Sequence, residues 1–292
     1  MKVHVCNPHG YCEGVLRAIN IALDTKKNNP NHPVAILGML VHNEFVIEFL
    51  AKHGISTLER PNSADEDFLR HVSDDTIIIF TAHGHPKVYE ELISNRGLSY
   101  VDATCPKVEV THDVIINALN NNHQIIYIGQ TGHPETKAAL SINAENIFLF
   151  DINLPFNYAQ ISDLTPVVIN QTTLSLDELA KIHDEILTYL PGAIIENEIC
   201  SATRLRQNAV KNIPLDVDII YIVGSFHSNN TKKLVQVAKL SHPNADVYQI
   251  QTVNDINPAQ LKNKKYAGVA AGASSPLELT NAVIDYLKQF NE

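Results

Sequence analysis

Three cysteines stand where a helix begins: Cys12 in "GYCEGV", Cys105 in "DATCPKV", at the end of an apolar run, and Cys200 in "EICSATR". They lie 93 and 95 residues apart. Cys105 precedes Pro106, a favoured first helical residue, and the start of a helix favours a thiolate over a thiol. Three thiolates converging from distant loops suit zinc, with a histidine as fourth ligand, or an iron-sulfur cluster. Spacing alone leaves both open. Cys6, in the alternating stretch "VHVC", has no counterpart at this interval and is expected in the core. With no CxxC pair and only four cysteines, a zinc ribbon, a thioredoxin-like motif and a disulfide scaffold are all disfavoured.

The same interval recurs in polar residues that follow apolar runs. His42 in "LVHN" and His83 in "TAHGH" lie 30 and 71 residues after Cys12. His133 in "GHPE" and Thr172 in "QTTLS" lie 28 and 67 after Cys105, and Ser228 in "GSFHSNN" and Ser274 in "AGASSP" lie 28 and 74 after Cys200. Three units thus each offer one cysteine and two polar strand ends. A ring of six polar loops is more than a structural zinc site needs, which favours iron and sulfur. A four-iron four-sulfur cluster held by three cysteines leaves one iron open, a Lewis acid beside an electron store.

The elements that must position these residues alternate along the chain. "PVAILGM", "TIIIFTA", "QIIYIGQ", "TPVVINQ", "DIIYIVGS" and "YAGVAAGA" read as buried parallel strands. Between them, "KVYEELISN", "HDVIINALNN", "LDELAKIHDEILTYL" and "LELTNAVIDYLKQ" read as helices. In parallel α/β sheets ligands gather beyond the carboxyl ends of the strands, which is where the six polar positions fall. The expected fold is therefore a trefoil of three pseudo-symmetric α/β units with mostly parallel sheets, spanning 1–101, 102–196 and 197–292, around a central iron-sulfur cluster.

Composition narrows the class. The 292 residues are 45% hydrophobic, enough for a large core. Against 32 acidic residues stand 22 basic ones, a net charge of -10 that argues against a nucleic-acid partner. No apolar run approaches the roughly 20 residues of a membrane helix, and the first residues carry no basic leader followed by an apolar stretch. A cytoplasmic protein without a membrane partner is expected.

The stretches "GYCEGV", "VHN", "TAHGH", "DATCP", "GHPE", "QTTLS", "VGSFHSNN" and "AGASSP", in that order, resemble the 4-hydroxy-3-methylbut-2-enyl diphosphate reductase family of the non-mevalonate isoprenoid route. The resemblance spans essentially the whole chain. It implies a 4Fe-4S cluster on Cys12, Cys105 and Cys200. It implies that His42, His83, His133, Ser228, Asn229, Asn230 and Ser274 bind an allylic diphosphate, and that Glu135 and Thr172 handle the proton and the hydroxyl. The implied reaction removes the allylic hydroxyl with two electrons and two protons, giving isopentenyl and dimethylallyl diphosphates, with ferredoxin or flavodoxin as electron donor.

Several residues also admit plainer roles. Glu135 sits in a first helical turn, where acids complement the helix dipole. "SPLE" reads as a capping box in which Ser275 caps and Glu278 reciprocates, and "SLDE" as a second one after Thr172. His42 suits a core histidine, and His112 and His183 read as solvated or structural. The family usually has Gly-Phe-Cys where this chain has Gly10, Tyr11 and Cys12, often arginine where His9 stands, and Ser-Ser-Asn where Ser228, Asn229 and Asn230 stand. Whether Asn229 meets phosphate through its side chain or its backbone is thereby left open. A quinolinate-synthase type of cluster-dependent dehydratase or synthase is the alternative enzyme, for which pocket arginines are expected. A non-enzymatic iron-sulfur sensor is the alternative outside enzymes, and the acidic balance counts against it.

Overall fold

The computed structural model describes residues 1–58, 69, 72–196 and 199–290. The chain opens on strand β1 (Lys2–Val5) and helix α1 (Glu13–Asn28), then lays down β2 (Val34–Leu37), α2 (Glu44–Lys52), β3 (Ile55–Leu58), β4 (Ile77–Phe80), α3 (Val88–Asn95) and β5 (Ser99–Asp102). Helix α4 (Pro106–Asn120) leads into β6 (Ile125–Gly129), α5 (Pro134–Leu140), β7 (Ile147–Asp151), β8 (Val167–Asn170), α6 (Leu176–Tyr189) and β9 (Ile194–Ile195). Helix α7 (Ser201–Lys211) leads into β10 (Ile219–Val223), α8 (Asn229–Ser241), β11 (Asp246–Ile250), β12 (Tyr266–Ala271) and α9 (Leu277–Gln289).

Three four-stranded parallel sheets result, ordered β3-β2-β4-β5, β7-β6-β8-β9 and β11-β10-β12-β1. This is the expected α/β trefoil. The six apolar runs are its six inner strands, because aliphatic and β-branched side chains must be covered on both faces of a parallel sheet. In the second sheet Ile126, Ile128 and Val168 face one core while Ile125, Tyr127, Val167 and Ile169 face the other. The first and third sheets divide in the same way. Cys6 lies in one of these cores, as expected, where burial pushes its thiol up to about 12.

Within each sheet the chain crosses first to one side of its starting strand and then to the other. The crevice of each unit therefore opens between β2 and β4, between β6 and β8, and between β10 and β12, the positions at which such sheets bind ligands. The loops leaving those six strands carry His42, His83, His133, Thr172, Ser228 and Ser274. In the third sheet β1 occupies the place that β5 and β9 occupy in the others, pairing Lys2 with Tyr266 through Val5 with Val269. The division at 101/102 and 196/197 is kept as a proposal, with β1 added to the third sheet. Among the described residues, no helix is long and apolar enough to cross a membrane.

Candidate active site

Cys12, Cys105 and Cys200 are the N-caps of α1, α4 and α7; the side chains of Cys12 and Cys200 make no cap bond, and that of Cys105 faces the N–H groups of Lys107 and Val108 without a cap bond of full geometry. Their backbones are tied down instead. The N–H of Cys105 donates to Ala82 O at 3.0 Å, that of Cys200 to Thr172 O at 3.2 Å and that of Cys12 to Ala273 O at 2.9 Å. Each bond joins a helix start of one unit to the loop beyond an inner strand of the preceding one. The three thiols line one cavity of about 120 Å³.

All twelve residues expected at the site line that cavity. His42, His83 and His133 stand together, with ring centroids 4.2 Å, 5.3 Å and 5.8 Å apart pairwise. His133 caps α5, its Nδ1 accepting from Glu135 N at 3.2 Å. Ser228 caps α8 by accepting from Thr231 N at 3.2 Å, which leaves its own O–H to donate elsewhere. Ser274 Oγ donates to His42 O at 3.4 Å, and Asn43 Nδ2 donates to Ser274 O at 2.7 Å, so the first and third units are stitched beside the histidines.

Glu135 is the buried acid of the site, 2% exposed. Thr172 donates to it twice, from N to Oε1 at 2.7 Å and from Oγ1 to Oε2 at 3.1 Å. Burial pushes this carboxyl up to about 7, and the two bonds from Thr172 pull against that rise. A carboxyl titrating near neutrality can hold and release a proton under ordinary conditions.

A Cβ added to Gly14 would lie 2.6 Å from Cys105 Sγ and 4.0 Å from Cys12 Sγ, so glycine is what lets the start of α1 lie this close to the Cys105 sulfur. Three soft sulfur donors from three loops match iron-sulfur ligation.

A family profile described as LytB protein matches residues 3–288. The chain belongs to the LytB family. It is similar to 4-hydroxy-3-methylbut-2-enyl diphosphate reductase of Brevibacillus brevis, 38% identical over 295 residues covering 100% of this chain and 93% of the relative. The reductase of the same name from Symbiobacterium thermophilum is 34% identical, covering 100% of this chain and 98% of its own. The solved E-1-hydroxy-2-methyl-but-2-enyl-4-diphosphate reductase of Plasmodium falciparum superposes with a TM-score of 0.87 at 29% identity, covering 99% of this chain and 88% of that one. The chain is an enzyme, and the cavity is its candidate active site.

Several local expectations are corrected. Ser275 does not cap α9, whose N-cap is Pro276; its Oγ donates to Val223 O at 2.8 Å, so the box with Glu278 does not form. Ser175 is the N-cap of α6 but makes no side-chain cap bond, so the box with Glu178 does not form; the N–H of Leu176 donates to Gln207 Oε1 at 3.0 Å. The Cys105 thiol is raised, not lowered: burial pushes it up, outweighing the N–H groups of Lys107 and Val108 that pull it down.

Asn229 spends its side chain inside the protein, donating from Nδ2 to Gln130 Oε1 at 3.0 Å across two units. Its backbone N–H, at the start of α8, is the group placed to meet an anion. Asn230 is engaged at both ends, donating to Thr203 Oγ1 at 3.3 Å and accepting from Ala273 N at 3.1 Å. Lys107, Thr173 and Thr203 line the cavity and were not singled out by the sequence. For Lys107 a signal existed, since it follows Cys105 and Pro106 in a first helical turn.

Because the folded protein holds the Glu135 proton more tightly than an unfolded chain, this carboxyl's contribution to stability is fully present below pH 4.5 and is lost as pH rises through about 7. Glu135→Gln removes that slope, at most about 1.4 kcal/mol per pH unit for one group. Urea midpoints of the variant, measured between about pH 5 and pH 8, should fall less steeply with pH than those of the parent. Parallel profiles would contradict the assignment.

Proposed function

We propose that the chain removes the allylic hydroxyl of 4-hydroxy-3-methylbut-2-enyl diphosphate reductively, yielding isopentenyl and dimethylallyl diphosphates. The observation that carries this reading is the placement of a buried, neutral-range carboxyl, three thiols and three histidines on the wall of one cavity. Cys12, Cys105 and Cys200 would hold a 4Fe-4S cluster, which when bound supplies electrons and an open Lewis-acidic iron.

The remaining chemistry belongs to side chains. Loss of a hydroxyl as water needs a proton at that oxygen. Glu135 stores it, and the 3.1 Å contact with Thr172 Oγ1 works in both directions. With the carboxyl ionised, Thr172 donates to Glu135; with it protonated, Glu135 donates to Thr172, whose own O–H is then free to turn toward the cavity. Ser228, Ser274, the N-terminus of α8 and the three histidines form the other, anion-binding part of the wall. Three imidazoles this close repel one another's protons, and a bound diphosphate relieves that repulsion.

We further propose ferredoxin or flavodoxin as electron donor, reaching the thiols from a second cavity of about 500 Å³. That cavity shares Cys12, Cys105, Cys200 and the exposed Lys107 with the first and adds the partly exposed Arg17. Its Leu205 is 55% exposed, and these basic and apolar groups suit a small acidic redox protein. The reading places the enzyme in the cytoplasm, with no nucleic-acid partner for a chain of net charge -10. The quinolinate-synthase alternative expects arginines around a carboxylate substrate, and among the described residues the substrate cavity is lined by none.

Glu135→Gln should bind the allylic diphosphate yet turn it over ~10²–10⁴-fold more slowly in an anaerobic assay with a chemical one-electron donor. Near-normal turnover would leave Glu135 only a structural role. Calorimetry of diphosphate binding from about pH 6 to pH 9, in buffers of differing ionisation enthalpy, should show proton uptake and an affinity that falls as pH rises. A flat affinity without proton uptake would show the histidines acting as neutral donors.

A further inference from the structure

Beside the thiols the protein buries a cation that, among the described residues, no carboxylate accompanies. Arg206, within α7, is 3% exposed. Its Nη2 donates to Gly10 O at 2.7 Å and its Nη1 to Ala202 O at 3.2 Å, while its buried Nε meets no acceptor. It joins none of the ion pairs formed among the described residues.

The two accepting carbonyls are informative by position. Gly10 stands two residues before Cys12, and Ala202 two residues after Cys200. The guanidinium thus bridges the chain segments that carry two of the three thiols, and it lines the cavity onto which all three open. Burial lowers its pKa, and the neighbouring Cys12 and Cys200 raise it. A guanidinium nevertheless stays charged in proteins. A permanent charge withdrawn from water is strongly unfavourable unless a counter-charge is supplied, and among the described residues no side-chain carboxylate supplies it.

Three thiolates around iron and sulfide form a net anion. Each electron accepted from a one-electron donor makes it one unit more negative, with no bond formed or broken. We propose that Arg206 is the built-in counter-charge of the cluster site: through Gly10 and Ala202 it positions the Cys12 and Cys200 segments, and its charge favours the electron-rich state. This rests on the reading that the thiols hold an iron-sulfur cluster. Arg206 is on this view a positioning residue that sets a reduction potential, one of the means by which proteins tune such centres.

The test is an anaerobic reductive titration of the loaded, full-length protein with dithionite, followed by electron paramagnetic resonance. Arg206→Lys keeps a charge at the site. Arg206→Met keeps comparable reach with no charge to bury, and leaves the carbonyls of Gly10 and Ala202 without this donor. Arg206→Met should shift the potential downward by at least tenfold in the reduction equilibrium, about 59 mV for one electron. Arg206→Lys should stay near the parent. Loss of iron from Arg206→Met with retention in Arg206→Lys is the stronger form of the same result. Equal potentials in parent and Arg206→Met overturn the proposal while leaving the cluster reading intact, and equal shifts or equal iron loss in both variants reduce Arg206 to a hydrogen-bonding clamp. A parent chain that forms no cluster overturns both.

Discussion

Three backbone hydrogen bonds close the molecule on itself. Each cysteine N–H donates into the loop beyond an inner strand of the preceding unit: Cys105 to Ala82, Cys200 to Thr172, and Cys12, across the joined ends of the chain, to Ala273. Buried backbone donors must find acceptors, so these bonds fix how the units meet. They also make the centre a product of all three units. Without them three helix starts would point three thiols to different places, and the loops bearing His42, His83 and Glu135 would have no common cavity to line. The pairing of β1 with β12 serves the same closure from the opposite side, because it anchors the short segment leading to Cys12 within the third sheet.

The centre is electrostatically unlike the protein around it. A chain of net charge -10 lines its cavity with groups that carry little formal charge and suit an anion: imidazoles, hydroxyls and helix starts. Its fixed positive charge is concentrated where Lys107 and Arg206 flank the thiols. Glu135 shows the complementary logic, since an acid among apolar walls stays protonated where a solvated one would not. The hydroxyl and N–H of Thr172 moderate that rise, and its carbonyl accepts from Cys200, so the buried carboxyl and the thiol loop share one residue.

The sequence disclosed what is repeated and apolar. The six inner strands were legible as runs such as "IIYIG" and "IIYIV" because both faces must be covered. Edge strands such as β3, β5 and β11 were not, since "ISTL", "SYVD" and "DVYQI" are half exposed and carry no such run. Of the residues that line the cavity, His42, His83, His133, Thr172, Ser228 and Ser274 were legible through their interval from the cysteines, and Glu135, Asn229 and Asn230 only through the family resemblance. Arg206 was not, because "RLRQ" reads as a solvated basic turn until the Gly10 loop folds over it. The cap expected of Ser275 did not form because its hydroxyl donates to Val223 O and α9 begins only after Pro276.

The central claim is that three thiols from three units hold one cluster, and it is tested most directly by counting iron and acid-labile sulfide in anaerobically purified protein and in single cysteine-to-serine variants. The account predicts about four of each per chain in the parent and in Cys6→Ser, whose buried thiol takes no part. It predicts strong loss in Cys12→Ser, Cys105→Ser and Cys200→Ser. Full loading in Cys105→Ser, or loss in Cys6→Ser alone, would contradict it.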